Sequence, residues 1–222
     1  MSPESQEARD RIIEVAADLF LKQGYGATGI AQILTAADVL RGSLYYHFPT
    51  KEDLLLATLE WRLRMLWPEV ITPVYDRVDD PLERLFGILD GYRQMLLVCE
   101  FQQGCPIGNL ALELSESNPR ARQLLAENFE NWKRAIQGCL EEAQTQGKLP
   151  EDVNAADLSH YVLTVMEGAV MLARTYRTID TYDRAISLLR DHFERLQLAA
   201  TSWGERPRGG DSSSTRKKRK PS

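Results

Sequence analysis

Arg41-Gly42-Ser43-Leu44-Tyr45-Tyr46-His47-Phe48-Pro49-Thr50-Lys51-Glu52-Asp53-Leu54 reads as a short helix, a stop and the opening of the next helix. Leu44 and Phe48 are four apart and share one helical face, which points inward. Arg41 and Tyr45 are also four apart and face the other way, flanked by Ser43 and Tyr46. That outer face carries one guanidinium, one small hydroxyl and two phenols, groups able to reach base edges and phosphates in a major groove. Gly42 removes side-chain bulk where backbone must come close to DNA. Pro49 stops the helix, and Thr50 with Asp53 forms a capping box for the next one. Lys51 adds a positive charge at that helix start, where free backbone N–H groups already favour a phosphate. The residues alone leave a second reading open. Helix-turn-helix geometry occurs in many all-helical proteins, and Tyr45, Tyr46 and His47 equally suit packing between helices.

The flanking sequence is helical on both sides. A first helix over about 7–23 shows an apolar stripe at Ile12, Ala16, Leu19 and Phe20, and Gly24 stands where a C-terminal cap belongs. Thr28 or Gly29 opens a second helix carrying Ile30, Ile33 and Leu34, and the turn Ala36-Ala37-Asp38 leads to a third helix over about 40–47. Downstream, the fourth helix is expected to end near Trp67, before Pro68. Asp80-Pro81-Leu82-Glu83 and Asn118-Pro119 pair an N-cap with a first-turn proline. Asn154 with Asp157, and Asp180 with Asp183, repeat the cap-to-acid spacing. Helices over about 155–177 and 181–200 are joined by so short a turn that they pack antiparallel. The expectation is an all-α chain of about nine helices.

Charge is uneven over the 222 residues, whose net charge is -5. Residues 204–222 hold seven Lys/Arg against two acids and are Gly-, Ser- and Pro-rich, so a disordered basic tail is expected there. Its run Arg216-Lys217-Lys218-Arg219-Lys220 can attract phosphate without sequence preference, or be a solvated tail with no specific role. The first 51 residues carry five Lys/Arg and six acids, a poor match to a basic nucleic-acid binder, so a few placed cations would have to do the work. No apolar run approaches the ~20 residues needed to cross a bilayer, and Met1-Ser2-Pro3-Glu4 lacks a signal-peptide pattern. A cytoplasmic protein with no membrane partner is expected. Cys99, Cys105 and Cys139 form neither a disulfide framework nor a metal pattern. His47, His160 and His192 are scattered and no Gly-rich phosphate loop occurs, so no enzyme and no cofactor or metal is expected.

Gly24-Tyr25-Gly26-Ala27-Thr28, then Ile33, then the stretch 41–54 closely resemble the TetR/AcrR family signature over roughly residues 8–56. The resemblance implies an N-terminal helix-turn-helix domain (1–49), a ligand-binding and dimerisation domain (50–203) and the tail (204–222). It implies phosphate contacts from Thr28, Tyr46, His47 and Lys51, with Arg41, Ser43 and Tyr45 nearest the bases. Three positions depart from the usual pattern: Gly29 where a second hydroxyl is common, Asp38 for a turn glycine, and Leu40 for a Ser/Thr cap. The partners implied are double-stranded DNA bearing a palindromic operator, a small-molecule effector and a second copy of the chain. A repressor released by its effector is the leading expectation. A TetR-like DNA-bound protein without promoter regulation, such as a nucleoid-associated cell-division factor, is the alternative.

The resemblance places the effector among the middle helices and the dimer contact on the last two. Around Tyr161, Val162, Val165, Met166, Ala169, Val170, Leu172 and Ala173 the helix is apolar on most sides, which suits burial on several faces. Trp61, Met65, Phe101, Trp132, Met166 and Tyr176 are aromatic or soft groups suited to an apolar cavity, and equally to ordinary core. Glu167, within the apolar stretch, either faces a ligand or sits on a wetter side. Gln103-Gly104-Cys105-Pro106-Ile107-Gly108-Asn109-Leu110 resembles a Gly-Cys-x-x-x-Asn-Leu pattern of some TetR-like sensing domains, a few of which respond to electrophiles. Pro106 as a first helical residue puts Cys105 at the N-cap, where a thiol's pKa can fall; the bland alternative is a small residue at a tight corner.

Overall fold

The computed structural model describes residues 3–204, with side chains over 3–200. The basic tail expected from 204 therefore lies, apart from its first residue, outside the described residues. The described chain is helical throughout: α1 (Pro3–Gln23), α2 (Ile30–Ala37), α3 (Arg41–His47), α4 (Lys51–Met65), a wider π-type turn (Leu66–Ile71), α5 (Thr72–Tyr75), α6 (Pro81–Val98), α7 (Pro106–Leu114), α8 (Pro119–Thr145), α9 (Ala155–Tyr176) and α10 (Asp180–Gly204). Because α4, the π turn and α5 run on without a break, the described residues form nine rods, as expected. Pro68 does not end α4. The chain widens into the π turn, and the i→i+5 pattern passes over the proline's missing N–H.

Local chemistry accounts for most boundaries. Asp53 N–H donates to Thr50 Oγ1 (3.1 Å) and Thr50 N–H to Asp53 Oδ2 (3.1 Å), closing the capping box at α4. Asp80 accepts from Leu82 and Glu83 N–H at α6, Asn118 from Ala121 at α8, and Asn154 from Ala156 and Asp157 at α9. At α10 the helix already includes Asp180, and Asp183 instead accepts two bonds from Arg93 (2.8 and 3.0 Å). Between α2 and α3, Asp38 adopts φ 51°, a left-handed turn that Asp tolerates better than most residues. α3 starts at Leu40 without a side-chain cap.

One apolar core runs through the described residues. Ile12, Ile13, Ala16 and Phe20 of α1 meet Ile33, Leu44 and Phe48, so α1–α3 form a packed head. α4 lies against both α1 and α8 and joins the head to the larger bundle. α7 also touches α1 and α8, making a second bridge. α9 and α10 pack on each other at the far side, with α9 on α8. Val162, Met166, Ala169, Val170 and Ala173 face inward; Ala169, at 2 % exposure, is interior to the protomer. The exposed face of the pair is different, with Tyr161, Leu172 and Tyr176 on α9 and Leu188 and Leu198 on α10.

Candidate nucleic-acid interface and sensing cavities

α3 presents the face read from its spacing. Leu44 and Phe48 are buried, while Arg41, Gly42, Tyr45 and Tyr46 are exposed and Ser43 is half-buried. The Arg41 guanidinium lies 5.4 Å from the Tyr45 ring centroid, which holds it along the outer face. A Cβ at Gly42 would meet nothing within 4 Å. Leu40 is 83 % exposed beside this face, an apolar group suited to contact with a thymine methyl. His47 is half-buried: its Nε2 lies 3.5 Å from Ser5 Oγ, and its ring packs against Tyr46. Burial, then the charge of Arg9, push its pKa down, which favours the neutral ring.

Two of the expected phosphate contacts are turned inward. Thr28 is buried; its hydroxyl donates to Gly24 O (2.7 Å) and accepts from Gln23 Nε2 (3.2 Å). Lys51 Nζ donates to Tyr25 O (2.5 Å) and lies 4.1 Å from the centre of the Tyr25 ring. Both side chains hold the α1–α2 turn, and the buried Thr28 hydroxyl is fully used within it.

The same turn is gripped from the other side by α7. Glu113 accepts the backbone N–H groups of Tyr25 (2.9 Å) and Gly26 (2.6 Å), a paired-amide anion site filled by the protein's own carboxylate. The glycines make room for it. A Cβ on Gly24, whose φ is +86°, would sit 2.9 Å from Glu113 Oε2, and one on Gly26 would sit 3.1 Å from Oε1.

α7 also borders two cavities. The first, about 660 Å³, lies among α1, the π turn, α6, α7 and α8; Met65, Trp132, Tyr92 and Met95 line it with Arg62 and Asn128. The second, about 970 Å³, lies among α7, α8 and α9, bounded by Cys105, Gly108, Asn109, Glu167, Met171 and Arg174. Of the sequence candidates, Met65 and Trp132 line the first and Cys105 and Glu167 the second. The other four line neither. Trp61 is half-buried under the Arg62 guanidinium, and Met166 is interior core. Tyr176 is on the outer face. Phe101 ends α6 in a left-handed turn (φ 61°, after Glu100 at 49°), its carbonyl taken by Arg177. Cys105 does cap α7, accepting Gly108 N–H at 3.4 Å. Its thiol is nevertheless pushed up to about 12, by burial first and the Glu167 charge second, both outweighing the helix start. Of the two readings the motif left open, burial at 2 % exposure favours the small residue packed at a tight corner.

Residues 12–58 match the model for bacterial regulatory proteins of the tetR family, and residues 81–189 match the tetracyclin repressor-like C-terminal domain. The chain belongs to the TetR family. It is 28 % identical over 188 residues to the HTH-type transcriptional repressor DhaR of Mycobacterium sp. (strain GP1), covering 85 % of this chain and 91 % of that one. Among solved structures, a regulatory protein TetR from Rhodobacter sphaeroides superposes with a TM-score of 0.75 at 27 % identity, over 84 % of this chain and 97 % of that one. A TetR transcriptional regulator from Chloroflexus aurantiacus J-10-FL gives 0.73 at 27 % identity, over 90 % and 97 %.

As a TetR-family protein the chain is a DNA-binding transcriptional regulator, and the matching models describe regulators rather than enzymes. No helix among the described residues is long and apolar enough to cross a membrane. Sequence reasoning missed Glu113, Asn109 as a hydrogen-bond partner, and Arg174. The first two sit on α7 at ordinary helical positions, and only the fold shows that Glu113 meets residues 87 and 88 positions away. Asn109 was visible within the Gly-Cys motif, but its partner Arg174 is 65 positions distant.

Proposed function

We propose that this TetR-family protein is a repressor. It binds a palindromic operator as a homodimer through α3 and lets go when a small molecule occupies the sensing bundle. The observation that carries the reading is the double engagement of α7. Its first turn borders both cavities, and its last turn holds the α1–α2 turn of the head through Glu113. A ligand that shifts α7 therefore shifts the head, because the two paired bonds leave little slack. Arg41, Ser43 and Tyr45 stand nearest the bases, Tyr46 and His47 nearest the backbone, and Gly42 admits close approach. Thr28 and Lys51 act by holding the turn. Pairing of two copies through Tyr161, Leu172 and Tyr176 of α9 and Leu188 of α10 sets two heads side by side. Their exposure in the protomer supports this reading.

Genomic selection of DNA bound by the purified protein tests the proposal. The expected result is one short palindrome whose half-sites are centred about 10 base pairs, or a multiple of that, apart. Arg41→Ala should relax the preferred base at one position in each half-site, at ~1–3 kcal/mol for a lost bidentate contact. Fragments recovered without sequence preference would overturn the operator, and an unchanged preference in Arg41→Ala would overturn the reading face.

A further inference from the structure

The second cavity holds two side chains of α9 with unfinished chemistry. Glu167 Oε1 is buried and has no hydrogen-bond partner. Arg174 Nη1 donates to the neutral Asn109 Oδ1 (3.1 Å), and no ion pair among the described residues includes Arg174 or Glu167. An acid and a guanidinium thus line one cavity without pairing with each other, and the buried Glu167 Oε1 is costly to leave without a donor.

The motif at the start of α7 is shaped around these two groups. A Cβ on Gly108 would lie 2.4 Å from Glu167 Oε2, so any side chain there would have to push that carboxyl aside. A Cβ on Gly104 would lie 3.2 Å from Asn109 Oδ1 and 3.3 Å from Arg174 Cδ. The two α9 side chains therefore reach neighbouring places on α7, beside residues 108 and 109, without forming an ion pair. Leu112, Phe129, Val170 and Met171 supply apolar wall.

We propose that this cavity binds a small organic acid whose carboxylate pairs with Arg174 and whose hydroxyl or amine, a few bonds away, donates to Glu167 Oε1. The proposal rests on the effector-released reading above and names the chemical class that its sensing bundle takes. A planar guanidinium suits a carboxylate, and the orphan oxygen requires a donor. One molecule carrying both groups would satisfy both at once. A plain fatty acid would leave Glu167 unmatched, and a plain alcohol would leave Arg174 unmatched. The apolar wall holds the short carbon chain between them.

The test uses the full chain and three matched probe sets: 3-hydroxybutyrate, 4-hydroxybutyrate and 6-hydroxyhexanoate, then butyrate and hexanoate, then butan-1-ol and hexan-1-ol. Binding is followed by calorimetry and by the rise in Tm, neither of which needs DNA. At least one hydroxy acid should bind ~10–100-fold more tightly than its plain acid and its alcohol, the range set by one hydrogen bond to a charged or buried group. Glu167→Met should bring the hydroxy acid down towards the plain acid, and Arg174→Met should weaken both acids. Retained operator binding shows that each variant is folded, and Arg174→Lys, which keeps the charge, should keep part of the affinity. No hydroxy acid binding at millimolar concentration, or undiminished discrimination in Glu167→Met, overturns the site. A hydroxy acid that binds as expected but leaves operator affinity unchanged sinks the release mechanism instead and leaves the site standing.

Discussion

Cys105 shows how position within a helix yields to burial. Its place at the start of α7 favours the thiolate, and Gly108 N–H does approach its sulfur. The opposing effects are larger: a dry site and the carboxyl of Glu167 raise the thiol to about 12, roughly a thousandfold less thiolate than at the ordinary value of 9.0. Cys139 is also raised, chiefly by burial, whereas Cys99 is partly accessible. Thiol-specific alkylation of the native protein followed by mass spectrometry should therefore mark Cys99 first. Cys105 labelled ahead of it would contradict the burial argument. Lys51 carries a second prediction at this scale. Its ammonium donates to the Tyr25 carbonyl and lies against the Tyr25 ring, so Lys51→Ala should weaken DNA binding by loosening the head. The slope of log affinity against log salt should stay unchanged; a loss of about one unit would instead mark a phosphate contact.

Among the helices, α6 depends most visibly on one residue at its start. Asp80 caps it through Leu82 and Glu83 N–H (2.9 and 3.0 Å) and takes Lys148 Nζ at 2.5 Å from the end of α8. Asp80→Ala should lower the stability by about 1 kcal/mol, the usual cost of a lost cap, read as a lower urea midpoint. Partial burial raises this carboxyl's pKa, but the bonds from Lys148, Glu83 and Leu82 together outweigh it and the net direction is down. The folded state thus favours the ionised form. That stabilisation is present above the ordinary value of 3.8 and is lost as pH falls through the depressed one. Asp80→Asn should lack this part of the acid-induced loss; identical acid profiles for variant and wild type would refute the linkage. α4 is governed differently: Pro68 widens it into a π turn without ending it, because α4 and the following turn bury Leu66 and Ile71 on either side of the proline.

In the whole molecule, the choice between interior and interface falls on single residues of α9. Ala169 faces the protomer core, so an arginine there is expected to unfold the chain without testing the dimer. Leu188 is 70 % exposed on α10 and touches no core. Leu188→Arg should keep the far-UV helical signal and thermal transition while shifting the protein from dimer to monomer in analytical ultracentrifugation at micromolar concentration. Operator affinity should fall at least ~10-fold with it, since one head then binds alone. A wild type that sediments as a monomer, or a variant that remains dimeric, would remove α10 from the interface.

Sequence spacing alone determined the helical class, the caps at Thr50, Asp80, Asn118 and Asn154, and the outward face of Arg41 and Tyr45. Each follows from contacts within three or four residues, which a helix makes legible in its own sequence. The burial of Thr28 and Cys105, the capture of Lys51 by Tyr25, the grip of Glu113 on the head and the inward turn of Ala169 were decided only by tertiary packing. Those depend on which helix lies against which. Lys51 meets Tyr25 across 26 positions and Glu113 meets it across 88, and the desolvation of Thr28 and Cys105 is set by neighbours that no local pattern encodes.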